Sequence, residues 1–122
     1  MMLKTILVVE DDSDMRALIR RTLLNDGYAV RAAADGHEAP MACERDTPDL
    51  IISDVHMPRM SGFEMVEALK SEPALKDVPV IFLTADAEGM ERGNKLGAVA
   101  YLTKPLRMDH LLVSVAEHLP KG

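Results

Sequence analysis

LIISDVHMPRMSG, Leu50 to Gly62, opens on a short apolar run with the β-branched content of a buried strand, far too short to cross a membrane. The run ends on an acid, Asp54. Pro58 and Gly62 then punctuate a loop before a helical pattern resumes. In open parallel sheets, ligands bind beyond the carboxyl ends of the strands. A carboxylate there, on a rigid strand beside a loop, is a candidate nucleophile or metal ligand. Taken alone, Asp54 can equally well end a strand or begin a turn. The other strand ends have to decide between these.

Outward from that stretch, strands and helices alternate. Thr5 to Val9 (TILVV) reads as a buried strand, continuously apolar as parallel strands are. After Glu10-Asp11-Asp12-Ser13, the residues Met15, Leu18, Ile19, Thr22 and Leu23 recur at helical spacing, with Asp12 or Ser13 as cap and Asp26-Gly27 as stop. Tyr28 to Ala33 is a second strand. A short helix follows through about Arg45, with Pro40 tolerable in its first turn. Asp49 to Asp54 is the third strand, followed by a helix from about Gly62 to Ser71, and Pro79 to Thr84 is the fourth. The next spacing predicts a weak helix over Ala85 to Gly97, because Gly89 and Gly93 interrupt it at about 1 kcal/mol each. Val99 to Thr103 forms the fifth strand, and a last helix aligns Met108, Leu111, Leu112, Val115 and Leu119. This alternation implies βαβ units and a parallel sheet. Five units in one chain of 122 residues suit a flavodoxin-like (βα)5 doubly wound fold, whose strand order is 2-1-3-4-5. Sequence does not fix that order.

Composition bounds the rest. The length suits one domain, taken as residues 1–122, and 48% hydrophobic with 28% charged residues is ordinary for a globular protein. A net charge of -6 disfavours direct binding to nucleic acid or an anionic membrane, but not an acidic pocket that holds a cation. One cysteine, Cys43, excludes an internal disulfide and fits a reducing cytoplasm. The chain shows no signal-peptide pattern and stops soon after its last helix, so no DNA-binding or enzymatic output is expected.

A parallel sheet would bring Glu10 and Asp11, Asp54, Thr84 and Lys104 to one edge. Each has a plain structural alternative: a helix-dipole acid, a strand threonine, a solvated lysine. Their recurrence at successive strand ends favours a shared pocket. Neighbouring carboxylates repel unless one is protonated or a cation compensates. An all-oxygen set suits Mg²⁺, which takes one or two carboxylates plus a phosphate oxygen. Such a pocket can transfer a phosphoryl group to Asp54, with Lys104 and the Thr84 hydroxyl on other phosphoryl oxygens.

LVVEDD at Leu7 to Asp12, SDVHMPRMSG around Asp54, LTA at Leu83 to Ala85 and YLTKP at Tyr101 to Pro105 resemble the receiver domain of two-component response regulators. The resemblance spans nearly the whole chain. It implies that Asp54 accepts phosphate from a phosphohistidine on a histidine kinase or a histidine phosphotransfer protein. It further implies Mg²⁺ bound by Asp11 and Asp54, by Glu10 mainly through water, and by the His56 backbone carbonyl. Thr84 and Lys104 would engage the phosphoryl group, and Lys104-Pro105 would be a cis peptide. Tyr101 is similar to the family's aromatic switch residue, with the fourth helix, fifth strand and fifth helix as the partner surface. Such a module is a switch, not a turnover enzyme, and a monomer or weak phosphorylation-dependent dimer. Its downstream target stays unknown. His56 and Asp86, each two residues beyond a site residue, are candidates for tuning hydrolysis of the acyl phosphate.

Three rivals remain. An aspartyl-phosphate hydrolase would need an acid where His56 stands, and room for a cap insertion. A flavin or nucleotide binder would need a glycine-rich loop where Glu10-Asp11-Asp12 stands. A pseudo-receiver that never takes phosphate is the third.

Overall fold

The computed structural model describes residues 3–85 and 89–119. Strands β1 (Thr5–Val9), β2 (Ala29–Ala33), β3 (Leu50–Asp54), β4 (Val80–Thr84) and β5 (Ala98–Thr103) form one parallel sheet in the order β2-β1-β3-β4-β5. Helices α1 (Ser13–Asn25), α2 (Ala39–Arg45), α3 (Gly62–Leu69), α4 (Met90–Lys95) and α5 (Met108–His118) connect and cover it. This is the flavodoxin-like arrangement expected from the alternation of elements.

The continuously apolar strands are explained by burial on both faces. Side chains along a strand alternate between faces. Ile6, Val8, Ile52, Ile81 and Leu83 pack with Ile19 and Leu23 of α1 and Leu111 and Val115 of α5. Leu7, Val9, Ile51, Val80 and Phe82 pack on the other face with Phe63, Met65, Val66 and Leu69 of α3. The central strands β1, β3 and β4 are buried throughout. Their ends are therefore fixed points on which polar groups can be mounted.

Asp12 caps α1, accepting from the backbone N–H of Asp14 and Met15, and Gly27 follows the helix at a left-handed φ of 96°. Pro40 lies in the first turn of α2. Ser61 and Glu64 form a reciprocal capping box at the start of α3, which stops at Leu69, two residues earlier than its spacing predicts.

The largest correction concerns α4. Its spacing predicts a helix over Ala85 to Gly97, of which residues 86–88 lie outside the described residues; among the described ones the helix runs from Met90 to Lys95. Gly89 (φ 84°) and Gly97 (φ 92°) adopt left-handed conformations at its two ends, and these turns cut it short. No helix among the described residues is long and apolar enough to cross a membrane.

Candidate functional site

β1 delivers Glu10 and Asp11 one and two residues beyond its last member, and Asp54 is the last residue of β3. Carboxylate oxygens of Glu10, Asp11 and Asp54 all lie within 4.8 Å of one another. Glu10 and Asp54 are buried, whereas Asp11 is exposed. Thr84, buried, ends β4 directly opposite Thr103 in β5. One residue on, the Lys104 backbone N–H donates to the Thr84 carbonyl at 2.9 Å, extending the ladder and turning the lysine into the cluster. Its Nζ donates to Asp54 Oδ2 at 2.8 Å and lies 3.6 Å from Glu10 Oε1. The Lys104-Pro105 peptide is cis. Three strands thus bring together the acids and the lysine that sequence placed at their ends.

Electrostatics bear out the expected conflict. Burial first, then contact with the Asp54 carboxyl, pushes the Glu10 carboxyl up to about 7. Burial works to lower the Lys104 ammonium, but the hydrogen bond and charge of Asp54, with Glu10 and Asp11 behind it, outweigh burial and hold it above the usual lysine range. A single lysine faces three acids. Glu10 Oε2 is the one buried side-chain oxygen or nitrogen without a hydrogen-bond partner among the described residues. An orphaned carboxylate oxygen beside two more carboxylates is the donor set of a hard divalent cation such as Mg²⁺, so the residues fit that ion.

The backbone around Asp54 is tightly held. Ser53 Oγ donates to the Asp54 carbonyl at 2.9 Å, and the Gly62 N–H donates to the Val55 carbonyl at 2.8 Å. A Cβ on Gly62 would stand 2.0 Å from the Asp54 carbonyl oxygen, so only glycine lets α3 start so close to the strand end. Sequence reading took Gly62 as loop punctuation and missed this contact. It also missed Arg16, whose Nη1 donates to the Glu10 carbonyl at 2.8 Å and ties α1 to the acidic loop. The helical register of α1 was the available signal, since Arg16 begins the turn after the acids.

His56 exposes its side chain at the mouth of the β3–α3 loop. Asp86 lies outside the described residues. Tyr101 is half-buried. Its ring stacks on Phe82 with centroids 6.0 Å apart, and its hydroxyl lies 2.7 Å from the Met90 carbonyl and 2.9 Å from Asn94 Oδ1. Gly93 makes room for it, because a Cβ there would stand 2.3 Å from the phenol oxygen.

An open parallel sheet with an acid cluster and one lysine at its carboxyl edge defines a class of α/β proteins whose chemistry sits at strand ends. Within that class the chain belongs to the response regulator receiver domain family, whose model matches residues 6–116. Family members accept phosphoryl groups from histidine kinases and bind Mg²⁺ at the acidic pocket. The chain is 41% identical over 112 residues to the response regulator MprA of Mycobacterium leprae, covering 90% of this chain and 48% of that protein. It spans about half the length of the curated MprA relatives it matches. In structure it is similar to the chemotaxis protein CheY4 of Vibrio cholerae, with TM-score 0.91 and 35% identity over 97% of this chain and all of the other. It is also similar to the signal receiver domain of a signal transduction histidine kinase from Syntrophus aciditrophicus, with TM-score 0.82 and 35% identity over 95% and 89% of the two chains.

Proposed function

We propose that Asp54 is the phosphoacceptor of this receiver domain and takes its phosphoryl group from a phosphohistidine of a kinase or phosphotransfer protein. The 2.8 Å contact between Lys104 Nζ and Asp54 Oδ2, inside a ring of three carboxylates, carries this reading. An Asp54 carboxylate oxygen attacks phosphorus, the P–O bond forms, and the P–N bond breaks with its electron pair leaving on the imidazole. Lys104 shifts its ammonium from the carboxylate to a phosphoryl oxygen, and the Thr84 hydroxyl donates to another. Glu10, Asp11, Asp54 and the His56 carbonyl would hold Mg²⁺, which when bound neutralises phosphoryl charge.

Thr84 moving toward the phosphoryl group would release space for the Tyr101 ring, changing the surface of α4, β5 and α5 that a downstream partner reads. His56, with Asp86, is proposed to set the lifetime of the acyl phosphate by positioning or blocking water. The same reading takes residues 1–122 as one cytoplasmic receiver unit, monomeric or weakly dimeric when phosphorylated, alone or within a longer protein.

Incubation with Mg²⁺ and acetyl phosphate, followed by intact mass, tests this. The wild type gains one phosphate that Asp54→Ala does not, and the adduct decays slowly. Equal labelling of both proteins would overturn the assignment. Release of inorganic phosphate in rapid multiple turnovers would favour a hydrolase. Unchanged adduct lifetimes in His56→Ala and Asp86→Ala would remove the tuning role.

A further inference from the structure

The sheet has a second feature, outside the acid cluster, on its β2 edge. The Ala29 N–H donates to the Lys4 carbonyl, and the Ala33 carbonyl accepts from the Glu10 N–H. Odd-numbered members of β2 therefore face β1. By the alternation of a parallel ladder, the N–H and C=O groups of Val30 and Ala32 face outward. Both residues line a groove of about 380 Å³ that runs along this edge between α1 and α2.

The rim of the groove is basic although the chain as a whole is acidic. Arg20 comes from α1, Arg31 from β2 and Arg45 from the last turn of α2, against one acid, Glu38. Arg31 makes only a loose, half-exposed ion pair with Asp46 at 3.5 Å. No hydrogen bond or ion pair joins the side chain of Arg20 or Arg45 to another described residue. Charged residues often guard edge strands against pairing. Three guanidiniums from three elements around an open backbone edge do so selectively, since they repel basic strands and attract acidic ones.

We infer that the β2 edge is a docking site for an extended acidic segment of a partner protein, added to the sheet as a further strand. Its backbone pairs with Val30 and Ala32, and its carboxylates meet Arg20, Arg31 and Arg45. An open groove along a strand suits an extended chain better than a small enclosed ligand. The site is separate from the phosphoacceptor pocket and does not depend on its chemistry.

Titration of the ¹⁵N-labelled protein with a capped hexapeptide alternating glutamate and valine tests the inference. We expect amide shifts confined to β2 and the flanking turns, with slowed exchange at Val30 and Ala32. The double variant Arg20→Glu/Arg45→Glu changes exposed residues only and should keep the wild-type melting curve. It should bind the peptide about tenfold more weakly, as two exposed charge contacts allow. A lysine–valine peptide, or a glutamate–valine peptide N-methylated along one edge, should not bind. Equal binding to the double variant, or shifts elsewhere, would overturn the inference. So would inorganic pyrophosphate reproducing the β2 shifts while the peptide gives none, which would make the groove a small-anion site.

Discussion

Glu10 is held where its charge is least favoured, buried against Asp54 with one carboxylate oxygen unpartnered. Its folded value near 7 lies above the ordinary 4.5, so the folded state binds the extra proton. The sign follows from linkage: Glu10's own contribution to metal-free stability is full below about pH 4.5 and is lost as pH rises through about 7. Glu10→Gln should therefore stabilise the metal-free protein above pH 7 by about 2 kcal/mol, flatten that pH dependence, and weaken Mg²⁺ binding. Chemical denaturation between pH 5 and pH 8, with and without Mg²⁺, measures all three. Gly62 is the opposite case, a residue whose importance is purely steric. Gly62→Ala should cost about 2–3 kcal/mol, because the obstructing atom is backbone and cannot move aside. Urea midpoints test the cost, and acetyl phosphate labelling should slow as Asp54 is displaced.

At the scale of elements, α4 is where local sequence was least informative. Its glycines read as weak helix formers, which is right as far as propensity goes. Only packing reveals that Gly89 and Gly97 turn the chain at its ends, while Gly93 seats the Tyr101 ring. Gly93→Ala gains about 1 kcal/mol of helix propensity. It displaces the ring, losing a hydrogen bond of about 1 kcal/mol and a stacked aromatic contact of about 0.5–1.5 kcal/mol. The net change should be a small destabilisation, about 1 kcal/mol, with a large movement of the Tyr101 ring resonances. Adding Tyr101→Phe should recover part of the loss, since the closest contact is the phenol oxygen. If the ring signals stay in place, the seat assigned to Gly93 is wrong. By contrast, β1, β3 and β4 were legible almost to the residue, because burial on both faces demands an unbroken apolar run.

For the molecule as a whole, the pocket sets like charges close together and leaves a cation to balance them. Mg²⁺ at a hundredfold excess over its dissociation constant should stabilise the fold by about 2.7 kcal/mol, which appears as a rise of several degrees in Tm. Asp11 is exposed, so Asp11→Asn should fold normally and lose most of that rise. A Tm response equal to wild type would remove Asp11 from the ligand set. The remaining stability rests on two apolar layers, one on each side of the sheet, neither of which includes Glu10, Asp11, Asp54, Thr84 or Lys104.

The places of Glu10, Asp11, Asp54, Thr84 and Lys104 at or just beyond successive strand ends were determined by the sequence alone. Apolar runs bounded by polar residues mark where a buried strand must stop, whatever lies beside it. The order β2-β1-β3-β4-β5, the 2.8 Å approach of Lys104 to Asp54, the contact of Gly62 with the Asp54 carbonyl and the seat of Tyr101 on Gly93 were decided by tertiary structure. Each joins segments distant in the chain, or depends on how closely two backbones approach, and neither quantity is encoded in local pattern.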